Sequence, residues 1–247
     1  MSTNISTDTA GQAPTFLGVI NASMEAQGFV PRRNGLSLHT AHSLSQQRMA
    51  HQLVGRRYAD RGYQYSAPAE ANAPNQITLN AGEQDSAVGT LTVRLDSNLG
   101  LYADEIFGAE IDALRQAGHR VCEFTKLALG DELPSQRILA ALFHMAYIHA
   151  HHIRQFDVVV VEVNPRHVGY YRRMLGFKVC SEPRTNLRVN APAVLLSVAF
   201  SHIREQITLF GGRPELAAQT RSLYPHAFSA EEEQQLLATL RTNQAAH

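Results

Sequence analysis

The sequence predicts a mixed α/β domain, with a mostly antiparallel central sheet flanked by helices and a C-terminal helical extension. Three observations predict this fold. The run Val158 to Val161 is β-branched and apolar on both faces, as in a central strand buried on two sides. Several runs of alternating polarity precede it, as in antiparallel strands. From Ser201 onward the pattern is helical and no further strand is predicted.

The chain divides into three predicted segments. Residues 1–14 are rich in Ser, Thr, Ala, Gly and Gln and lack periodicity, so we expect a disordered tail. Residues 15–200 contain every predicted strand and form the folded domain. Residues 201–247 form a helical extension, interrupted at Gly211-Gly212, that we expect to pack on the same domain.

Alternation and helical periodicity define the elements before the central strand. Alternating polarity predicts strands at 36–39, 76–79, 88–95 and 120–129, of which the second and third form a pair across residues 80–86. Apolar residues at helical spacing predict helices at 41–61, 103–117 and 133–152. Gly62 and Gly118 follow the first two helices and end them, because glycine readily adopts positive φ.

Proline and glycine delimit the elements after the central strand. Pro165 stops the strand and suits the first turn of a helix, because proline lacks an N–H and fixes φ near roughly −65°. Gly176 ends that helix. Strands are then predicted at 177–180 and 193–200, and helices at 202–209 and 213–223. The last helix begins at Ser229, with Glu232 three residues on, the spacing of a capping box.

Composition excludes several classes of protein. Lys+Arg and Asp+Glu both number 22, so nothing predicts general attraction to nucleic acid. No apolar run approaches the ~20 residues of a transmembrane helix, and the N-terminus lacks the pattern of a secretory signal. The two cysteines, Cys122 and Cys180, cannot form a disulfide framework. We therefore expect a cytoplasmic protein.

Two stretches carry a resemblance to known families. Asp157 to Phe177 combines a buried strand, an Asn-Pro turn, a helix with a tyrosine and a Gly-Phe restart, and it resembles the second half of the GNAT acyltransferase core. Gly100 to Leu129, together with residues 163–167 and 171–173, is similar to the N-acyl amino acid synthases, which are GNAT relatives of the acyl-homoserine lactone synthases. The similarity runs from about Leu36 to Phe200. It implies a GNAT-like fold and transfer of a long acyl chain, typically from acyl carrier protein, to the α-amine of an amino acid.

The glycine-rich loop of CoA-dependent GNAT proteins is missing. Their usual Gln/Arg-x-x-Gly-x-Gly/Ala motif lets backbone N–H groups hold a pyrophosphate. The matching segment, residues 136–141, reads Gln-Arg-Ile-Leu-Ala-Ala, and we expect Ile138 and Leu139 to crowd a diphosphate. An acyl thioester on carrier-protein phosphopantetheine fits better as the donor. A degenerate CoA loop that still binds acyl-CoA is the alternative.

Glu123 is the first candidate catalytic residue. It lies in a strand between apolar neighbours, where burying an unpartnered carboxylate is costly. The resemblance places it at the acidic position of a Glu-x-Ser-Arg-like motif, here residues 123–126, which makes Thr125 and Lys126 candidates for substrate binding. A carboxylate can bind the acceptor ammonium and help remove its proton. The alternative is a structural glutamate paired to an arginine such as Arg94, which is also one candidate cation for the acceptor carboxylate.

The resemblance also carries over to residues of the 163–173 region. Tyr171 falls near the position where many GNAT enzymes have a tyrosine that protonates the departing thiolate. The fit is imperfect, because the spacing from Tyr171 to Gly176 is one residue longer than in those enzymes. A core tyrosine is the alternative. Asn164, Arg166 and His167 match the Asn-Pro-Arg-His block of the synthases, and Arg166 is expected to position the carrier arm or a substrate carboxylate, unless it is simply solvated.

Two clusters of side chains complete the candidates. Arg137, Arg172 and Arg173 flank the expected thioester cleft, where a basic patch would attract an acidic carrier protein. His144, His149, His151 and His152 crowd one helix, but no Glu or Cys completes a metal set, so we expect a solvent-facing cluster and no metal.

We therefore expect a GNAT-like N-acyltransferase with no permanently bound cofactor, whose partners are acyl carrier protein and an amino acid. One rival is a CoA-dependent N-acetyltransferase. The other is a catalytically silent GNAT fold that binds acyl carrier protein or an acyl ligand. The acceptor, the acyl length, the oligomeric state and the role of the extension stay open.

Overall fold

The computed structural model describes residues 31–33, 35–63, 73–83, 86–130 and 135–245, so the predicted tail at 1–14 lies outside the described residues. The strands are β1 (Arg32–Arg33), β2 (Leu36–Thr40), β3 (Gln76–Glu83), β4 (Ser86–Leu95), β5 (Val121–Leu129), β6 (Val158–Val163), β7 (Lys178–Val179), β8 (Arg184–Asn186) and β9 (Ala191–Ala199). The helices are α1 (Leu44–Ala59), α2 (Asp104–Gln116), α3 (Ser135–Tyr147), α4 (Val168–Leu175), α5 (Phe200–Phe210), α6 (Ala217–Thr220) and α7 (Ala230–Ala245).

The strands form one mostly antiparallel sheet in the order β1-β2-β3-β4-β5-β6-β9-β7, and β8 pairs with β9. Among the described strands, β5 and β6 form the one parallel pair. The predicted central strand is β6, whose five valines are all buried, because helices cover the sheet on both faces. This architecture confirms the predicted mixed α/β class.

The two faces of the sheet have separate cores. Helices α1 and α2 pack on one face, where Phe107 and Ile111 of α2 contact Val121 and Val160. Helices α3, α4 and α5 pack on the other face with the C-terminal extension. Alternate residues of β5 and β6 therefore face different helices, as the period of two in a strand requires.

Several predicted boundaries are wrong, each for a local reason. The strand pair continues through residues 80–83 and resumes at Ser86, so its connection is shorter than predicted. The long helix leaves α geometry after Tyr147 and continues as a π-helix over Ile148–Ile153. The segment 213–223 forms only α6 and a 3-10 turn, because Pro214 opens the turn and Arg221, with φ of 50°, closes α6.

Residues 223–245 of the C-terminal extension pack against α3 and against α5, the helix with which the extension begins. Phe228 is fully buried, and Leu236 of α7 reaches the same apolar core. The predicted capping box is confirmed: the Ser229 N–H donates to Glu232 Oε2 (2.8 Å), and the Glu232 N–H donates to Ser229 Oγ (3.2 Å). Across the part of the chain that the structure describes, no helix is long and apolar enough to cross a membrane.

Candidate active site

The candidate site lies where β5 and β6 separate. The two strands pair in parallel from Val121 opposite Val158 to Glu123 opposite Val160. Their pairing ends there, although β5 runs on to Leu129 and β6 to Val163. The separation leaves a gap between the two strand ends, and Glu123 lies at its base.

A β-bulge brings two candidate residues to the same side of the sheet. In a regular strand, residues 123 and 126 would face opposite sides. The register between β4 and β5 shifts between Thr90 and Thr92, and Lys126 adopts a φ of 53°. This irregularity re-aims the buried side chain of Lys126, as bulges do. Lys126 Nζ consequently lies 3.4 Å from the hydroxyl of Tyr102, whose backbone N–H contacts Glu123.

Tyr102 is the centre of a cluster of cations. The guanidinium carbon of Arg94 lies 4.0 Å from the centroid of the Tyr102 ring, that of Arg188 lies 4.9 Å away, and Lys126 Nζ lies 5.1 Å away. Gln76 Nε2 also donates to the Tyr102 hydroxyl, at 3.2 Å. An anionic group entering the site would therefore meet three cations that surround one ring.

Glu123 is 1% exposed. Its Oε2 accepts hydrogen bonds from the N–H groups of Tyr102 (2.7 Å) and Ala103 (3.3 Å), at the start of α2. Its Oε1 accepts none from the residues that the structure describes. Burial, followed by the charge of Glu162, raises the pKa of Glu123 to about 8. A carboxyl group with that pKa is mostly a carboxylate above about pH 8, and in that form it can accept a proton from an ammonium.

Arg94 is not the partner of Glu123, although the two residues are opposite each other in β4 and β5. Arg94 Nε donates to the carbonyl oxygen of Gly100 (2.8 Å) and Nη2 to that of Leu99 (3.0 Å). Arg94 and Glu123 thus hold the same loop, one through its carbonyl oxygens and the other through its N–H groups. No ion pair joins Glu123 to Arg94 within the described part of the chain.

A second carboxylate, Glu162 of β6, lies near Glu123. Arg188 Nη2 donates to Glu162 Oε1 at 3.0 Å, and Asn186 Nδ2 donates to Glu162 Oε2. Burial raises the pKa of Glu162, and the charge of Arg188 opposes that rise. Because one of the two donors to Glu162 is the charged guanidinium of Arg188, whereas both donors to Glu123 are neutral backbone N–H groups, Glu162 is the better stabilised anion of the two. The proton that the pair retains near neutral pH therefore resides on Glu123.

Tyr171 lies on the opposite face of the sheet from Glu123. Its ring packs edge-on against Phe143 (6.2 Å between centroids) and Phe177 (5.5 Å). Its hydroxyl makes no hydrogen bond to the residues that the structure describes. Burial, together with the nearby Tyr58, raises the pKa of Tyr171 well above its usual range. Tyr58 also interacts electrostatically with Glu162, so it lies between the tyrosine and the carboxylate pair.

The Asn-Pro-Arg-His block lies just after β6. Asn164 Oδ1 accepts from the N–H of Arg166 (3.2 Å), which caps the short turn that precedes α4. Arg166 is exposed, donates to the hydroxyl of Tyr63 (3.2 Å) and also contacts His167. Thr125 is half-buried, and no hydrogen bond from it is seen to the described residues. These four residues are thus near the gap without contacting Glu123.

The basic residues predicted to bind the carrier protein are all exposed. Segment 223–226 of the extension lies between these arginines. The Leu223 N–H donates to the Met174 carbonyl (3.0 Å) at the end of α4. Burial lowers the pKa of His226, and the charge of the nearby Arg137 lowers it further. Arg172 and Arg173 lie on the same α4. The three arginines therefore flank one segment of surface.

Two predictions about α3 and the helix turn that follows are wrong. Ile138 and Leu139 are buried in the core, so they do not crowd a diphosphate; what distinguishes this helix start is only the absence of glycine. The histidines do not form a solvent-facing cluster, because His144 and His149 are buried. Within the described residues, no group of three or more potential ligands could hold a metal ion.

Sequence reasoning missed Tyr102, Glu162, Asn186 and Arg188. Tyr102 and Glu162 lay inside the two stretches that carry the resemblance, and the residue type of Tyr102 gave no signal. Glu162 offered one: a single carboxylate at the end of an all-valine strand is costly to bury and needs a partner. Asn186 and Arg188 lie in β8 and the following turn, which no pattern predicted.

Comparisons with known proteins bear on the family and the fold of this chain. The family model of the N-acyl amino acid synthase FeeM matches residues 49–199, which is 151 of the 247 residues. The solved structure of FeeM, an N-acyl amino acid synthase from uncultured soil microbes, has a TM-score of 0.62 and 23% identity, covering 68% of this chain and 92% of that one. This likeness confirms the predicted GNAT-like fold.

Other structures are similar at lower identity. Escherichia coli ElaA has a TM-score of 0.50 and 12% identity, covering 66% of this chain and 98% of its own. A CoA-dependent acyl-homoserine lactone synthase, BjaI, has a TM-score of 0.45 and 9% identity, covering 66% and 82%. Comparison with curated protein sequences gave no significant match.

Proposed function

Because the chain belongs to the N-acyl amino acid synthase FeeM family and is therefore an acyltransferase, we propose that it moves a long-chain fatty acyl group from an acyl carrier protein thioester to the α-amine of an amino acid. The observation that carries this proposal is Glu123, a buried carboxyl group with a pKa of about 8 at the base of the β5–β6 gap. Direct attack by the amine needs a base of this kind, and neither cysteine lies at the site to form an acyl-enzyme.

The proposed reaction assigns a role to each side of the sheet. The acceptor ammonium binds at Glu123 and Glu162, and Glu123 takes its proton. The amine then attacks the thioester carbon, the carbon–sulfur bond breaks, and the Tyr171 phenol gives its proton to the departing thiolate. The nitrogen loses its second proton as the amide forms, and this proton, carried by solvent, restores the phenol. The raised pKa of Tyr171 keeps the phenol protonated until then. Lys126 and Arg94 provide positive charge near the reacting groups.

The experiment that tests the function is a comparison of donors. Purified protein with mixed amino acids receives palmitoyl carrier protein, palmitoyl-CoA or acetyl-CoA, and mass spectrometry identifies the products. We expect N-palmitoyl amino acids from the carrier protein. Acetylated products from acetyl-CoA alone would instead establish the CoA-dependent acetyltransferase. No product from any donor, with carrier protein still bound, would establish the catalytically silent binder.

Recognition of the carrier protein supplies a second prediction. We propose that Arg172 and Arg173 attract the acidic carrier, with Arg137 on the other side of segment 223–226. Replacing Arg172 and Arg173 by glutamate should lower kcat/KM for acyl carrier protein about 10-fold or more at low salt, and less at high salt, because exposed charges act mainly through screened long-range attraction. Activity with acyl-CoA is the control. An equal loss with both donors would contradict docking.

A further inference from the structure

Arg188 lies in the turn that connects β8 and β9, and β6 fixes the position of this turn. The Arg188 N–H donates to Asn186 Oδ1 (2.9 Å), and both side chains donate to Glu162. The turn ends at Asn190, which has a φ of 50°. The guanidinium is therefore held over the Tyr102 ring by hydrogen bonds on one side and by ring contact on the other.

The guanidinium keeps donor capacity that the protein does not use. Nη1 is buried and makes no hydrogen bond to the described residues, although it forms a long ion pair with Glu105 Oε1 at 3.5 Å. The side chain as a whole is 30% exposed, so a ligand can approach the guanidinium from its exposed side. A buried donor without an acceptor is rare in proteins and indicates a position where a ligand atom binds. A guanidinium fits a carboxylate in bidentate geometry.

The charges around Arg188 match those of a zwitterion. Arg188 lies close enough to Glu123 and Glu162 for its charge to act on both. An ammonium is attracted to the two carboxyl groups, and a carboxylate to the guanidinium beside them. An α-amino acid carries these two charges on adjacent groups. Simple amines and amino sugars lack the carboxylate and would leave the Nη1 donor unused.

We propose that Arg188 binds the α-carboxylate of the acceptor and so selects α-amino acids over other amines, a role that rests on the proposed function. Arg188 is a specificity residue here. The orientation follows from the contacts: with the carboxylate on Arg188, the ammonium faces Glu123, and the acceptor side chain extends away from both.

The test compares each acceptor with its decarboxylated counterpart, tyrosine against tyramine and leucine against isoamylamine, in wild type, Arg188→Met and Arg188→Lys. Methionine retains an apolar stem over the Tyr102 ring without the charge. We expect Arg188→Met to raise KM for the amino acids about 10- to 100-fold more than it raises KM for their amine counterparts, as for loss of a charge-assisted pair; any change common to both reflects the loss of the Arg188 charge beside Glu123 and Glu162. Lysine should restore part of the affinity, because it keeps the charge and loses the bidentate geometry.

Arg184→Ala is the matched control. Arg184 precedes Arg188 by four residues and pairs with Glu110 of α2 on the protein surface, away from Glu123. Its loss should leave both KM values unchanged. Wild type alone gives an independent measurement: its kcat/KM for tyrosine should exceed that for tyramine at least 10-fold.

The outcomes separate this inference from the proposed function. Equal effects of Arg188→Met on amino acids and amines, or no preference of the wild type for the carboxylate, would overturn the role of Arg188 and leave the acyltransferase in place. Absence of any acylated amino acid from wild type, whatever the donor, would overturn the proposed function and this inference with it.

Discussion

Glu123→Gln should lower kcat/KM about 10²- to 10⁴-fold, the usual contribution of a positioned general base. Glutamine keeps the size of the side chain and an oxygen that can accept from the Tyr102 N–H, so the start of α2 stays in place. The variant should therefore fold and bind acyl carrier protein. Steady-state kinetics with palmitoyl carrier protein and the preferred amino acid measure the loss. Retention of wild-type kcat/KM would contradict the assignment of Glu123 as the base.

The pH dependence gives an independent signature of the same residue. With a pKa of about 8, Glu123 is mostly protonated below pH 8 and mostly a carboxylate above it. We expect kcat/KM of the wild type to rise with pH and to level off above about pH 8. The Glu123→Gln variant should lose this limb. Acceptors whose own ammonium pKa values differ serve as the control, because a limb that moves with the acceptor belongs to the substrate.

Stability should respond in the opposite direction to activity. The pKa of Glu123 is raised above its ordinary value of 4.5, so the folded protein binds a proton that the unfolded chain has lost between pH 4.5 and 8. Its contribution to stability is fully present below pH 4.5 and is lost as pH rises through 8. Glu123→Gln should flatten this slope in urea unfolding, because glutamine carries no titratable proton. Activity and stability thus conflict at this residue, as is common for catalytic groups.

Tyr171→Phe, on the other face of the sheet, should have a smaller effect on activity than Glu123→Gln. Thiolates leave readily, so the phenol proton assists a step that is already easy. We expect kcat to fall less than about 10-fold, which is below the effect of Glu123→Gln, with little change in stability because the ring contacts to Phe143 and Phe177 remain.

Local pattern predicted the fold better than it predicted the site. The valine run and the Asn-Pro and Gly-Phe boundaries depend on neighbouring residues, and the structure has β6, α4 and a left-handed Gly176 (φ 76°) where the sequence placed them. The strand burial of Glu123 could also be inferred locally, since its neighbours are apolar.

The rest of the site depends on contacts between residues distant in sequence. Arg188 meets Glu162, 26 positions away, only because β8 and β6 both adjoin β9. Lys126 faces Tyr102 only because a bulge rotates it, and the apolar-polar pattern does not reveal a bulge. His144 looks like a surface histidine in α3 until the extension covers it, and no local signal predicts that contact.

His144→Leu should destabilise the protein by about 1–3 kcal/mol, because it leaves the buried N–H of Phe228 without its acceptor and removes one of the two histidine partners of Glu233. The N–H of Phe228 donates to His144 Nδ1 (3.0 Å), so Nδ1 carries no proton. Nε2 therefore carries it and donates to Glu233 Oε2, also at 3.0 Å. One side chain of α3 thus binds both the start and the first turn of the last helix. His119→Ala, on an exposed turn, is the matched control and should change the free energy of unfolding by less than about 0.5 kcal/mol.

Low pH should weaken the contact between His144 and Glu233 and so lower the stability of the protein. Burial raises the pKa of Glu233, but the hydrogen bonds and charges of His144 and His152 outweigh burial and hold that pKa at about 2, below its ordinary value of 4.5. The stability from Glu233 is present above pH 4.5 and is lost as pH falls toward 2. Glu233→Gln should remove this acid-sensitive part, and the double variant with His144→Leu should lose less than the sum of the two single losses. Strict additivity in urea unfolding would show that the histidine and the carboxylate do not act as a pair, and that the extension is held by its apolar contacts alone.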